Sequence, residues 1–274
     1  MIDYAFPNLQ HTIIRCECIR ERPTHSVHRI RAGTQQFILK SFTYRPVKEI
    51  QVYALLDRLS VPTLPVVQRG DDFLLMEDLQ TSAMWRLAHT EDTQRAEVGR
   101  AVAEWYRFLH QAGREQAEIG WPDYLHCWIN PLVEPALRAA GCKLNLDGSR
   151  VWQDALSHLE EWKAIYRSFP QTFNYSDFAD ENLALARESV QPLKALVFDY
   201  DVFATGTVFS DVRNVLSGLT GLAKDAFCEA YGPVDQQEAL VDTPLSLLEG
   251  ILIAAQRERI PAWARPLIAH YQNG

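Results

Sequence analysis

Acidic and amide side chains that suit a metal ion occur in two polar stretches of the chain. Asp177 and Asn182 lie in the segment YSDFADEN, and Asp199 and Asp201 close the apolar run ALVFDYD. Between residues 171 and 211 the chain has seven acidic and two basic residues. Carboxylate and amide oxygens placed at strand ends are the ligands that a hard divalent cation prefers. A solvated acidic loop would explain any one of these clusters, but it does not explain their order along the chain.

The order and spacing of these residues indicate phosphoryl transfer. Asp177 and Asn182 are five positions apart, as are the proton-accepting Asp and the metal-binding Asn of kinase catalytic loops. Asp199 then stands where kinases keep their second metal-binding Asp. Upstream, Lys40 ends the strand-like run FILK and Glu49 opens a helical stretch, in the order of the kinase small lobe. A lysine at position 40 would also be typical of an edge strand, where it favours solubility. A glutamate at position 49 would also be typical of a first helical turn.

The elements that must position these residues divide the chain into two parts. Alternating and apolar runs predict strands over 11–20, 27–31, 36–42, 66–69 and 73–76, and spacings of three and four predict a helix over 46–59. After residue 80, helical patterns cover 91–111, with an end near Gly113, and 151–166, and another helix is expected to start at Thr243-Pro244. Short strands are expected between 172 and 187 and over 195–200.

This organisation predicts an α+β fold. A small antiparallel-sheet N-terminal lobe over residues 1–76 is followed by a hinge at 77–81 and a large, mainly helical C-terminal lobe over 82–274, which carries the catalytic loop and the substrate site.

The sequence resembles the aminoglycoside phosphotransferases and choline kinases, small-molecule kinases with a protein-kinase-like bilobal fold. The run FLLMEDL at 73–79 is similar to the hinge of that family, and WYRFLH at 105–110 to its Leu-His helix end. Asp211, in SDVRNV, resembles the Asp that opens the helix after the metal-binding strand, and AFCEAYG at 226–232 resembles a late helix. The resemblance spans residues 11 to 232.

The resemblance implies a reaction and its cofactors. It implies ATP or GTP, Mg²⁺ and the hydroxyl of a small-molecule acceptor. Asp177 would orient that hydroxyl and take its proton, while Asn182 and Asp199 would hold Mg²⁺. Lys40 would bind the α- and β-phosphates, with Glu49 as its partner.

The same resemblance implies further nucleotide contacts. The adenine would lie against the connector from Glu77 to Leu79. The turn that covers the phosphates, residues 20–26, contains no glycine, so phosphate contacts would come from Ser26, Thr24 or backbone N–H groups.

Three acidic residues are candidates for the acceptor site. Asp180 and Glu181 are either a solvated loop tip or contacts for a cationic, amine-bearing acceptor such as an aminoglycoside-like compound. Asp201 has three open roles, which are sharing the metal, binding the acceptor, and being solvated.

The catalytic loop departs from the family pattern of His-Gly-Asp. Tyr175 and Ser176 replace the His and Gly, and a serine is expected to hold an ordinary backbone conformation. This loop and the glycine-free turn leave an alternative function, a catalytically degenerate nucleotide-binding sensor or scaffold. A protein kinase is disfavoured because no Asp-Phe-Gly or Ala-Pro-Glu segment is recognisable.

Composition limits the remaining function classes. The 274 residues include 27 Lys and Arg against 35 Asp and Glu, and residues 1–80 hold only 10 and 9 of these, so the acidic excess lies in residues 81–274. An acidic chain is a poor nucleic-acid binder, and no apolar run approaches a membrane span. Five cysteines without a CxxC pair indicate a reducing cytoplasm, with Cys16 and Cys18 expected in the core. No sequence signal indicates an oligomeric state.

Overall fold

The computed structural model describes residues 13–187 and 192–273. Two compact units account for the chain. The first comprises residues 1–112, 175–203 and 214–232, and the second comprises 113–174, 204–213 and 233–274. The predicted lobe boundaries at residues 76 and 81 stay a prediction. No helix among the described residues is long and apolar enough to cross a membrane.

An antiparallel sheet of five strands forms the N-terminal part of the first unit. Its strands are β1 (Ile13–Glu21), β2 (His25–Ala32), β3 (Gln35–Phe42), β4 (Val66–Arg69) and β5 (Phe73–Glu77), in the order β1-β2-β3-β5-β4. The sequence predicted all five, although residues 11 and 12 of the first lie outside the described residues. The turn between β2 and β3 contains Gly33, whose φ of 62° is readily adopted by glycine.

The two faces of this sheet differ in what they carry. One face holds a buried apolar cluster, made of Ile30, Ala32, Phe37, Leu39, Phe73 and Leu75. Lys40 points to the other face, where its ammonium meets helix α1 (Lys48–Arg58). The expected burial of Cys16 and Cys18 is wrong. Both thiols are exposed, because β1 is the edge strand of the sheet.

The long helix of the first unit differs from its predicted bounds at both ends. A 3₁₀ turn covers Thr90–Gln94, and α2 then runs over Ala96–Ile119, because Arg95 between them is extended. The predicted end near Gly113 is wrong. The glycine lies inside the helix. A Cβ at this position would come 2.3 Å from the backbone nitrogen of Phe173, so the close approach requires glycine. Gly113 therefore marks close packing and not a helix end.

The remaining elements are short strands and helices distributed over both units. The helices are α3 (Glu134–Lys143), α4 (Arg150–Ser157), α5 (Leu159–Ser168), α6 (Val208–Gly218), α7 (Gly221–Tyr231), α8 (Gln236–Gln256) and α9 (Ala264–Asn273). The strands are β6 (Trp85–Leu87), β7 (Thr172–Asn174), β8 (Leu183–Ala186), β9 (Ala195–Val197) and β10 (Ala204–Gly206), paired as β6-β8-β9 and β10-β7. Helices α3, α4, α5, α8 and α9 share one apolar core.

Three expectations in this region need correction. The single helix predicted over 151–166 is two helices, α4 and α5, which meet at His158. The helix expected to start at Thr243 starts at Gln236 and contains Pro244. The proline lacks an N–H for the Leu240 carbonyl, so the helix continues through it without that hydrogen bond. The strand predicted to reach residue 200 ends at Val197.

Candidate active site

A buried ion pair joins β3 to α1. The Nζ atom of Lys40 lies 2.7 Å from Oε2 of Glu49, and the two side chains are 6% and 1% exposed. Lys40 reaches the helix because it faces away from the apolar cluster of the sheet, and Glu49 is in the first turn, where an acidic residue is favoured. A spacing of only nine residues is thus long enough for the Lys–Glu pair that the sequence predicted.

Asp199 is the second carboxylate on the same ammonium. Its Oδ1 accepts a hydrogen bond from Nζ of Lys40 at 2.8 Å. Asp199 has a φ of 67°, in the left-handed region, so the chain turns sharply after β9 and the predicted strand stops. Its side chain is 32% exposed, so the carboxylate is accessible from solvent as well as to Lys40.

The predicted catalytic loop, residues 175–182, places Asp177 against Asn182. The Asn182 amide nitrogen donates to Oδ2 of Asp177 at 2.9 Å and to its backbone carbonyl at 3.1 Å. The amide oxygen of Asn182 is therefore on the other branch of the side chain and remains available as a ligand. Further along, the backbone N–H of Phe198 donates to the Asn182 carbonyl at 3.1 Å, which ties the loop to the residue before Asp199.

Tyr175 supplies a second tie between the same two segments. Its hydroxyl donates to the backbone carbonyl of Phe198 at 2.5 Å, and its side chain is fully buried. A tyrosine can thus hold the scaffold of the loop where the family has histidine. The expectation for Ser176 is wrong, because its φ is 63°. The loop keeps the backbone that glycine adopts freely and imposes it on a serine.

The cluster carries more negative than positive charge. Two of its carboxyl groups have raised pKa values. Burial raises the pKa of Glu49 to about 7, against the opposing effect of the Lys40 charge. Partial burial, followed by the negative charge of Asp199, raises the pKa of Asp177 to about 6, while the Asn182 hydrogen bond opposes that rise. Asp201 contributes to both shifts as a further negative charge.

Four aromatic side chains beside the loop pack against one another in series. Tyr200 packs edge-on against Tyr53 of α1 at 4.8 Å and against Tyr175 at 5.7 Å between ring centroids. Tyr175 in turn packs edge-on against Trp105 of α2 at 6.1 Å. We call these four residues the aromatic column. All four are buried, so α1, the catalytic loop and α2 share one rigid support.

The strand register separates Ser26 from the other predicted site residues. Ser26 pairs with Ser41, next to the pair of Val27 with Lys40. Because side chains alternate along a strand, Ser26 lies on the opposite face of the sheet from Lys40. His25 pairs with Phe42 and shares the face of Lys40, with its ring 6.3 Å from that of Phe42.

His25 is the candidate that the sequence reasoning missed. Burial, followed by the charge of Lys40, lowers the pKa of His25, and the charges of Asp199 and Asp201 oppose this. The imidazole therefore lies within electrostatic reach of Lys40, Asp199 and Asp201. The strand register is the signal that distinguishes His25 from Ser26, because neighbouring residues of a strand face opposite sides of the sheet.

The connector at residues 77–79 is held in place by contacts with Pro65, Arg29 and Arg187, which were not predicted from the sequence. Glu77 ends β5 and donates its backbone N–H to the Pro65 carbonyl at 3.1 Å. Asp78 is buried and accepts a hydrogen bond from Nε of Arg29 at 2.6 Å. The carbonyl of Leu79 accepts from Arg187 at 3.3 Å. These contacts fix the backbone of the connector.

The acidic loop residues have different environments. Asp180 accepts a hydrogen bond from the Thr90 hydroxyl at 2.6 Å and from the Glu181 backbone N–H at 3.0 Å, so it stabilises its own loop. Glu181 and Asp201 are exposed. Asp201 and Glu181 also act as neighbouring charges on Asp177, so both lie near the catalytic loop.

The second unit contains a buried polar cluster of its own. Asp211 is fully buried in α6. Asp242 of α8 is also fully buried and accepts hydrogen bonds from Ser210 and, at 2.6 Å, from Nε of Arg213. Phe209 donates its backbone N–H to Glu238 at 2.8 Å. These bonds join the start of α6 to α8, a link that was not predicted from the sequence.

Comparison with known proteins supports the fold. No family model and no curated protein matches the sequence. A choline/ethanolamine kinase family protein from Mesorhizobium loti matches with a TM-score of 0.63 and 14% identity, over 97% of this chain and 90% of that chain. Spectinomycin phosphotransferase, solved with ADP and spectinomycin, matches with 0.61 and 10%, over 95% and 89%. A choline kinase from Streptococcus pneumoniae matches with 0.59 and 10%, over 95% and 92%.

Likeness at these identities concerns the fold. Together with the five-stranded antiparallel sheet and the helices that follow it, these matches confirm the predicted resemblance at that level. The chain therefore has the α+β, protein-kinase-like fold of choline kinases and aminoglycoside phosphotransferases.

Proposed function

We propose that this protein is an ATP-dependent phosphotransferase that phosphorylates a hydroxyl of a small molecule, with GTP as the other candidate donor. One observation carries the proposal. Lys40 bonds Asp199 at 2.8 Å and Glu49 at 2.7 Å, while Asp177 is hydrogen-bonded to Asn182. These are the groups that kinases use to bind phosphates, hold a metal and accept a proton.

The nucleotide would be held by the first unit. Lys40 would bind the α- and β-phosphates, and Glu49 would keep its ammonium in position. The connector from Glu77 to Leu79 would lie along the adenine, and the bond between Arg29 and Asp78 would keep that backbone in place. In the glycine-free turn, His25 is favoured over Ser26 as the phosphate contact, because His25 lies on the same face of the sheet as Lys40.

The acidic groups fit a magnesium ion. Asp199 and the amide oxygen of Asn182 are hard oxygen donors. Burial is the main cause of the raised pKa values of Asp177 and Glu49, and the charges of Asp199 and Asp201 raise both further, so a cation would offset that added negative charge. Asn182 and Asp199 would be the metal ligands. When bound, Mg²⁺ would neutralise charge on the phosphates.

Asp177 would do the proton chemistry. Its carboxylate would accept a hydrogen bond from the acceptor hydroxyl and take that proton as the oxygen bonds to the γ-phosphorus and the bond to ADP breaks. Asn182 would orient the carboxylate through the 2.9 Å hydrogen bond. A pKa near 6 leaves Asp177 ionised at neutral pH yet basic enough to hold a proton.

The acceptor would be a small and preferably cationic molecule. Glu181 and Asp201 are exposed acids near Asp177, and residues 81–274 hold 26 acidic against 17 basic residues. Such a field favours amine-bearing acceptors. Asp180 would contribute charge, although its carboxylate is already bonded to Thr90.

One feature favours the alternative of a nucleotide-binding sensor without transfer. Residues 20–26 contain no glycine, and phosphate-covering turns commonly use glycine for close backbone approach. A sensor, however, has no use for a carboxylate with a raised pKa at the position of Asp177.

Release of ADP separates the two functions. Purified protein would receive Mg·ATP or Mg·GTP with a panel of amino-alcohols, aminoglycosides and sugars. We expect acceptor-dependent release of ADP, or of GDP where GTP is the donor, that falls by at least about 100-fold in Asp177→Asn. Asp225→Asn, at an exposed position on α7, is the matched control and should keep full activity. Nucleotide binding without turnover on any acceptor would instead identify a sensor.

A further inference from the structure

Three side chains of different chemistry converge at the β1–β2 edge of the sheet. Cys18 and Glu21 belong to β1 and His28 to β2, and each offers one ligand atom within 4.8 Å of the other two. The Cys18 thiol is also within 3.6 Å of Oε2 of Glu21. A thiol, a carboxylate and an imidazole at such short range are a common ligand set for a transition metal.

The strand pairing brings these residues together. Cys18 lies directly opposite His28 in the antiparallel pair, so their side chains share one face. Glu21 is three residues after Cys18 and would point to the other face in a regular strand. The register shifts between Cys18 and Arg20, so that Arg20 pairs with Val27 and Glu21 with Ser26. The extra residue, Ile19, is a β-bulge that returns Glu21 to the face of Cys18 and His28.

Within the described part of the chain, the polar groups of this cluster form few hydrogen bonds. Among the described residues, Nδ1 of His28 is shielded from solvent and has no hydrogen-bond partner. A shielded nitrogen without a partner costs free energy that a bonding partner would recover. The Cys18 thiol is a weak donor to Glu21, so a metal ion would replace only one weak bond.

We propose that Cys18, Glu21 and His28 form a binding site for Zn²⁺. Thiolate, imidazole and carboxylate together suit zinc, whereas Mg²⁺ prefers oxygen ligands alone. Three protein ligands leave the fourth tetrahedral position to water. The site is separate from the proposed magnesium site, because His28 pairs with Leu39 and therefore lies on the opposite face of the sheet from Lys40. This proposal stands independently of the phosphotransferase function.

Zinc affinity tests the site directly. The reduced full-length protein would compete with a chromophoric chelator for Zn²⁺ in excess Mg²⁺, and Co²⁺ would be added separately for its spectrum. We expect one equivalent of Zn²⁺ and a thiolate-to-cobalt charge-transfer band. Cys18→Ser, His28→Ala and Glu21→Gln should each weaken zinc binding, by at least about 10-fold for the first two, because loss of a ligand costs no less than loss of a group that orients one. Cys18→Ser should also abolish the charge-transfer band.

Matched variants decide between this site and others. Cys228→Ser, at another exposed cysteine, and Asp199→Ala, in the proposed magnesium site, should bind Zn²⁺ as the wild type does. Circular dichroism would show that each variant is folded. The proposal is overturned if wild type binds no zinc, or if Cys16→Ser weakens binding as much as Cys18→Ser while His28→Ala and Glu21→Gln have no effect. That second pattern would mean a pair of thiols and not this cluster.

Discussion

Ser176 holds a backbone conformation that side chains adopt at a cost. Its φ of 63° lies in the left-handed region, one residue before Asp177. We expect Ser176→Val to lower the free energy of unfolding by about 1–3 kcal/mol, because a β-branched residue fits this region poorly, and Ser176→Gly to be tolerated. Urea denaturation would measure both changes.

A matched serine provides the control for this prediction. Ser41 lies in β3, where valine has a high strand propensity, so Ser41→Val should have a small effect. Equal losses for the valine variants at positions 41 and 176 would contradict the argument from backbone strain.

The raised pKa of Asp177 predicts the pH dependence of the proposed reaction. The carboxyl must be ionised to accept a proton, and its pKa is raised to about 6, chiefly by burial. We expect kcat/KM for the acceptor to rise with pH through about 6 and then to level off. A profile that is flat between pH 5 and 7 would exclude Asp177 as the base. The profile would be measured at saturating Mg·ATP.

The same shift predicts that Asp177 weakens the fold at neutral pH. The folded-state pKa of about 6 exceeds the ordinary 3.8, so the group's stabilising contribution is complete below 3.8 and is lost as pH rises through 6. Asp177→Asn should therefore raise Tm at pH 7 and leave it little changed near pH 3.5. The outcome that contradicts this is a lower Tm at pH 7 than that of wild type or Asp225→Asn.

At the scale of elements, the contact between β3 and α1 depends on a buried ion pair. Lys40→Met would leave Glu49 buried without its cation, and we expect a loss of about 3–5 kcal/mol in the free energy of unfolding. The loss should be smaller at pH 6 than at pH 8, because Glu49, whose pKa is already raised to about 7, takes up a proton. Urea denaturation at both pH values would measure it.

A double variant and a surface pair complete this test. Lys40→Met combined with Glu49→Gln should recover at least half of the loss, since no unpaired charge is then buried. Arg138 and Glu134 form an exposed pair at 2.6 Å, and Arg138→Met should cost less than about 1 kcal/mol. Equal losses in the single and double variants would show that packing, and not charge, holds α1 to the sheet.

The sequence predicted elements well where periodicity alone decides them. The five strands of the sheet and α1 follow from alternation and from apolar spacing. It failed where tertiary packing overrides a local signal. Gly113 and Pro244 both suggest helix ends. Gly113 instead lies inside α2, where its close approach to Phe173 leaves no room for a side chain, and the apolar contacts of α8 retain Pro244 within that helix.

At the scale of the whole molecule, nucleotide binding should stabilise the protein only when the metal ligands are intact. We expect Mg·ATP to raise Tm of the wild type, and Asp199→Asn to lose most of that rise, because a ligand that binds only the folded state stabilises it according to its affinity. Thermal denaturation with ATP, with and without Mg²⁺, would measure it. An equal rise in Asp199→Asn would contradict the assignment of Asp199 to the metal.

The candidate site residues could be predicted along the whole chain because the corresponding groups of kinases occur in a fixed order. Spacing and resemblance predict Lys40, Glu49, Asp177, Asn182 and Asp199 as site residues, and their roles stay a prediction. The structure brings Lys40 to Glu49 and Asp199, and Asp177 to Asn182. What spacing could not reveal was conformation. The left-handed φ of Ser176, the bulge at Ile19 and the face of His25 depend on register and packing, which a single sequence does not encode locally.

The aromatic column gives the protein an internal optical reporter. The rings follow one another in edge-on contacts, in the order Tyr53, Tyr200, Tyr175 and Trp105. Neighbouring ring centroids are no more than 6.1 Å apart. Tyrosine excitation passes efficiently to tryptophan over such distances, and Trp105 is buried with its indole N–H bonded to the Pro62 carbonyl at 2.7 Å. Movement of α1 or of the catalytic loop would therefore change the emission of this one indole, and comparison with Trp105→Phe would isolate its signal during turnover.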